Sequence, residues 1–156
     1  MTRSTAREIA IELCYSAYSM RLDPREGLDS FFTPEHYETL AEENPLFSEL
    51  PGEGEMKYIR RLIELVGEHQ EEIDSYIEQY AHGWRLERIS RTALAVLRCA
   101  ICEILYLEDV PPAAAINEAV EIDKNYDDPD TVAFVNGVLG GFMRGRFPAQ
   151  EQSAQE

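Results

Sequence analysis

Residues 91–107 read RTALAVLRCAICEILYL, a helical stretch that is apolar around nearly its whole circumference. At 100° per residue, Leu94, Leu97, Ile101, Ile104 and Leu105 share one side, while Ala93, Val96 and Ala100 fill much of the remainder. A helix without a polar face needs other helices around it, so this stretch predicts a central buried helix. Arg98 lies inside its apolar arc, where an unpaired charge is costly, and Glu118 of the following helix is the nominated partner. No nucleophile or base accompanies that pair, which predicts a structural and not a catalytic role.

The other helices are marked by their caps and stops. Thr5 and Glu8 form a capping-box pair that opens a helix running to about Met20. Ile9, Leu13, Ala17 and Met20 make its core arc, and Arg7, Ile11, Tyr15 and Tyr18 make a second arc beside it. Either this helix is squeezed between two others, or the second arc is an arginine and tyrosine surface. Asp23-Pro24 starts a short helix through Phe32, Thr33-Pro34 starts another through about Glu43, and Asn44-Pro45 stops it. LFSELPGEGE then reads as a loop. From about Met56, Ile59, Ile63 and Val66, followed by Ile73, Ile77 and Tyr80, mark helical segments with a break near residues 69–71, and Gly83 ends them. Residues 85–90 read as a short helical turn. No alternating run flanks a tight turn, so strands are not expected. The fold class is all-α, with six or seven helices packed as two small bundles around the 91–107 helix.

At 156 residues the chain suits one domain, which at this size buries roughly 70% of its unfolded surface. That domain is expected over residues 1–147, with an acidic insert at about 22–55 and a flexible polar tail at 148–156. No run of about 18 apolar residues offers a membrane span, and MTRSTAREIAIE lacks the apolar centre of a signal peptide, so a cytoplasmic protein is expected. Cys14, Cys99 and Cys102 lie in apolar helical patterns and predict buried small residues; Cys99 and Cys102 form a CxxC, but no second ligand pair follows and no metal or cofactor is expected. The formal net charge of −16 weighs against nucleic acid, whose binding draws on phosphate contacts. The acid is unevenly placed, however: residues 26–56 hold nine Asp or Glu and no Lys or Arg.

The last fifty residues carry the functional signal. Asp128 and Pro129 suit the N-cap and first position of a helix from about 129 to 145, in which Val135, Val138, Leu139 and Phe142 share a core arc. Asp130, Phe134, Gly137 and Gly141 fall together on the other side. Glycine inside a helix costs about 0.5 to 1 kcal/mol relative to alanine, so something must approach closely at Gly137, Gly140 and Gly141. That neighbour is either another helix or a visitor, in which case Phe134 stacks on a base and Asp130 accepts from base amino or imino groups. Asn117 and Asn136 are expected to hydrogen-bond across the last two helices.

AREIAIELCYSAY, Trp84 with RISRTALAVLR, the Val-Pro turn, INEAVEIDK and FVNGVL, in this order and over nearly the whole chain, resemble the NusB family of transcription antitermination factors. The resemblance implies a non-enzymatic, all-helical RNA-binding protein that pairs with NusE, a small-subunit ribosomal protein. The pair would grip boxA-type RNA of ribosomal RNA transcripts and promote read-through by RNA polymerase as part of an antitermination complex. By the same resemblance, Arg3, Arg7, Tyr15, Asp130 and Phe134 are the RNA-binding candidates, and Ile11, Tyr15 and Tyr18 the candidates for the protein partner. Two alternatives remain at this point: an acidic helical adaptor that binds protein without RNA, and a detached RNA-binding module related to ribosomal RNA cytosine methyltransferases.

Overall fold

The computed structural model describes residues 1–147, and every regular element within them is helical. The polar tail expected at 148–156 lies outside the described residues. Among the described residues, eight α-helices and three short 3₁₀ turns divide between two compact units, one ending at Glu68 and the other starting at His69.

In the first unit, α1 (Arg3–Ser19) begins one turn earlier than its spacing predicts: Thr2, not Thr5, is the N-cap, and its hydroxyl accepts from the Thr5 amide at 3.0 Å. Thr5 instead occupies the first turn, with its hydroxyl 3.0 Å from that of Thr2. Ile9, Leu13 and Ala17 are buried as expected, but Met20 is 65% exposed. The helix ends at Ser19 and the left-handed Arg21 (φ 59°) turns the chain away, so the fourth position of the arc never reaches the core. α4 (Glu53–Glu68) packs on α1 with Ile59, Leu62, Ile63 and Val66 fully buried. It starts at Glu53, inside the stretch expected to be a loop, because the Gly52 carbonyl accepts from the Met56 amide and Glu53 and Glu55 suit the positive end of the helix dipole.

Between them the acidic segment folds on its own small aromatic core. A 3₁₀ turn (Pro24–Gly27), the single-turn α2 (Leu28–Phe31), α3 (Pro34–Glu43) and a second 3₁₀ turn (Pro45–Phe47) follow the breaks that Asp23-Pro24, Thr33-Pro34 and Asn44-Pro45 predict. Phe31, Tyr37 and Phe47 are buried and meet edge to face, with Phe31 5.9 Å and Tyr37 5.5 Å from Phe47. The Tyr37 hydroxyl donates to the Glu49 carbonyl at 3.0 Å, and burial, then the nearby Glu49 charge, push its pKa up to about 12. The carboxylates stay outside, so the segment combines a solvated acidic surface with a packed interior.

The second unit is built on α6 (Arg91–Tyr106), in which every residue from 93 to 104 is buried. α5 (Gln70–Tyr80), α7 (Pro112–Asp123) and α8 (Pro129–Arg146) all pack against it. Cys99 and Cys102 are buried free thiols within it, as Cys14 is within α1. Arg98, 6% exposed, is held in bidentate fashion by Asp74 of α5, at 2.8 Å from Nε and 2.9 Å from Nη2, a partner that the sequence pattern did not nominate. Asp74 sits one turn into α5 on the side facing α6, whereas helical spacing alone says nothing about which neighbour supplies a carboxylate. Replacing one member of a largely buried, hydrogen-bonded ion pair takes a bidentate counter-charge from the other. Asp74→Ala should therefore destabilise the protein by roughly 3 kcal/mol in urea unfolding, and the double change Asp74→Leu with Arg98→Met should recover much of that loss; a single variant as stable as the parent would refute the pairing as a structural tie.

Candidate nucleic-acid interface

α8 opens as its sequence predicts. The Asp128 carboxylate accepts from the Thr131 amide at 2.8 Å, a bond that holds its pKa below the usual carboxylate range, and Pro129 takes the first helical position. Val135, Val138, Leu139 and Phe142 are all buried, so the aliphatic arc faces inward. The opposite stripe is divided. Asp130 and Gly137 are exposed, Phe134 is half-buried, and a Cβ placed at Gly137 would meet nothing within 4 Å. At Gly141, by contrast, a Cβ would lie 3.2 Å from the Tyr80 ring of α5. One glycine therefore serves helix packing, and the other leaves bare backbone open to a visitor.

Trp84 completes this surface. After α5 the chain passes through two left-handed residues, His82 (φ 35°) and Gly83 (φ 87°), and this turn brings Trp84 to within 5.7 Å of Phe134, centroid to centroid, with the ring planes at 55°. Two shallow grooves flank the pair. One is bordered by Arg88, Ser90, Asp130 and Thr131, the other by Tyr80, His82, Gly137 and Arg144, and Trp84 and Phe134 line both. Sequence spacing assigned Trp84 no role of its own. The available signal was a large aromatic outside any helical periodicity, directly after His-Gly and before an arginine-rich run.

The candidates in the first unit are less uniformly accessible. Arg3 is exposed with its guanidinium 4.2 Å above the Tyr58 ring, and Tyr15 is 37% exposed. Arg7 is only 5% exposed and lies 5.9 Å from the same Tyr58 ring, and Ile11 is 2% exposed. Those two are buried within the unit, where α1 meets its neighbours. Tyr18 is half-buried. Asn117 and Asn136 both line an open groove between α7 and α8 and, among the described residues, do not hydrogen-bond to each other; both are exposed.

Beneath the start of α8 lies a feature without a sequence precedent. Asp123, the last residue of α7, is 0% exposed, and neither of its carboxylate oxygens nor Asp127 Oδ2 has a hydrogen-bond partner. Burial, then the adjoining Asp127 carboxyl, then the Asp128 charge, push the pKa of Asp123 up to about 8. Asp127 is tied in turn to Ser90, the N-cap of α6, whose hydroxyl donates at 3.3 Å.

The matched model of the NusB family covers residues 4–144. The chain belongs to the NusB family. It is 39% identical over 144 residues to the transcription antitermination protein NusB of Acetivibrio thermocellus, covering 92% of this chain and 90% of that one. It is 35% identical over 156 residues to NusB of Ruminiclostridium cellulolyticum, covering 100% of this chain and 97% of that one. Among solved structures, Thermotoga maritima NusB superposes with a TM-score of 0.79 at 26% identity over 98% of each chain. A NusB chain crystallised with NusE and double-stranded RNA shares the fold, with a TM-score of 0.71 at 24% identity over 92% of this chain and 96% of that one. Membership places this chain among non-enzymatic transcription factors, and the all-helical architecture is the NusB architecture.

The Asp123 pair gives this NusB-family chain a pH dependence whose sign follows from linkage. A carboxyl whose folded pKa lies above its unfolded value contributes fully below about pH 4, and its contribution falls as pH rises toward about 8. Asp123→Asn removes the titration while keeping the shape. The melting temperature of the variant should therefore gain on that of the parent progressively from about pH 4 to about pH 8; a gap that stays constant over this range would show that Asp123 does not titrate as described.

Proposed function

We propose that this chain is a transcription antitermination factor that acts in the cytoplasm, binding boxA-type RNA of ribosomal RNA transcripts together with NusE and joining an RNA polymerase antitermination complex. Its relatives are transcription antitermination proteins, and the structural relative crystallised with NusE and RNA suggests the partner class. The observation that carries the reading is the outer stripe of α8. There an exposed carboxylate, a half-buried ring and open glycine backbone stand together beside a second aromatic and an arginine. Such a surface matches unstacked bases: rings stack on base faces, and Asp130 accepts from amino or imino groups that a phosphate contact could not distinguish.

The charge balance defines how this surface must work. With 14 basic and 30 acidic residues, the chain alone cannot supply many phosphate contacts, so affinity has to come from a basic partner while specificity comes from base contacts. Among the N-terminal candidates, Arg3 and Tyr15 on α1 are the exposed ones.

Titrating labelled boxA-type RNA with the chain, with and without its cognate NusE, tests the reading. Tight binding is expected only with both proteins and should weaken steeply as salt rises. Absence of a ternary complex at any salt would leave an acidic adaptor for a basic protein as the better description. In the same assay Asp130→Asn should alter discrimination among RNA sequences and leave the melting temperature nearly unchanged, since Asp130 lies off the core arc. A large thermal loss would mark the stripe as structural.

A further inference from the structure

We propose that Trp84 is a second base-stacking residue, which forms with Phe134 an open two-ring cleft for single-stranded RNA, and that the arginines following it hold the flanking phosphates. The inference rests on the RNA-binding reading of α8 and adds to it a residue, a segment and a strandedness.

Trp84 is 52% exposed, although it is one of the largest apolar side chains in the molecule. Its neighbour does not cover it: at 5.7 Å and 55° the two rings form an open V, neither parallel-stacked nor edge to face, so each keeps a face turned to a groove. The turn that delivers it is strained. His82 sits at φ 35°, a left-handed conformation that a non-glycine residue adopts at some cost, and the Trp84 amide closes the turn on the Ala81 carbonyl at 3.3 Å. The same left-handed residues end α5 and redirect the chain so that Trp84 comes to the surface beside Phe134.

The segment that carries Trp84 departs in charge from the rest of the chain. Residues 84–91 hold Arg85, Arg88 and Arg91 against Glu87 alone, in a protein with twice as many acids as bases. All three arginines are exposed, and none makes an ion pair among the described residues. With so many carboxylates available, three exposed arginines without acid partners on one short segment complement an external anion. Asp130 on the facing wall supplies an acceptor for a base edge, which phosphate-binding alone would not call for.

The size of the site selects the ligand class. The grooves measure about 180 and 300 Å³, at or below the ~300–1,000 Å³ of small-molecule pockets. Both are partly open to solvent. They suit a polymer that inserts single bases and continues past, and a duplex, whose bases are already stacked on one another, offers no free face to either ring.

Trp84 is the only tryptophan of the chain, so its emission reports the event directly. Short single-stranded boxA-type RNA carrying a label is titrated into the full chain with NusE, following label anisotropy for binding and tryptophan emission for stacking; Trp84→Phe in parallel subtracts any emission from NusE. Quenching is expected to track RNA bound. Trp84→Ala should weaken binding about five- to a hundredfold, and Trp84→Phe much less, with thermal melting like that of the parent. Binding of parental affinity in Trp84→Ala without quenching in the parent would overturn the inference and leave the RNA-binding reading intact. Quenching by NusE alone, unchanged by RNA, would assign the ring to the protein partner and overturn it too. Equal quenching by duplex RNA would refute the single-strand preference, and no RNA binding in any mixture would remove both readings together.

Discussion

A helix buried along every residue from 93 to 104 has no face to offer water, and α5, α7 and α8 are therefore committed to covering it. Each covering helix spends its apolar arc on α6 and keeps only its outer side for anything else. On α8 that division is sharp: Val135, Val138, Leu139 and Phe142 turn inward, and Asp130, Phe134 and Gly137 are left at or near the surface. The Arg98 to Asp74 pair fixes α5 against the same central helix. Because α5 ends in the turn that carries Trp84, the tie that stabilises the core also anchors the strand of chain leading to the candidate interface.

Charge is uneven along the chain. The segment richest in carboxylates is not an unstructured acidic tail but a set of short helices closed around Phe31, Tyr37 and Phe47. It belongs to the first unit, whereas the arginine run after Trp84 and the stripe of α8 belong to the second. Both units are nonetheless acidic, so the −16 is shared between them and only the short run after Trp84 stands out as basic. Under the proposed function this implies a separation of tasks, with base contacts supplied by this chain and the bulk of phosphate neutralisation by a basic partner.

The helical boundaries were legible wherever a residue has a local reason to stop or start a helix. Asp128-Pro129, Thr33-Pro34, Asn44-Pro45 and Gly83 all act within a few residues of their own backbone, and each boundary falls where it was expected. The cap of α1 was misplaced by one turn because Thr2 and Thr5 offer the same hydroxyl chemistry three residues apart. Met20 and the start of α4 failed for a related reason: periodicity extrapolates an arc but does not see the backbone turn at Arg21 or the helix-opening bond from Gly52. Within the candidate site, Asp130, Phe134 and Gly137 were identifiable from one helical wheel, but Arg7 and Ile11 were not recognisable as interior, since α1 has two apolar arcs and only its neighbours decide which is covered.

By itself, then, the sequence determined the helical class, the central helix, the inward arc of α8 and the family, because these depend on periodicity, capping and motif order along one chain. Only the tertiary structure decided that Asp74 holds Arg98, that Tyr80 occupies the room at Gly141, that Trp84 leans over Phe134 and that Asp123 is sealed beside Asp127. The first three are meetings between distant residues whose side chains obey no shared period, and the last is a pair one helical turn apart whose burial no local pattern shows. Their chemistry is fixed by which helices become neighbours, and that is settled by the packing of whole faces.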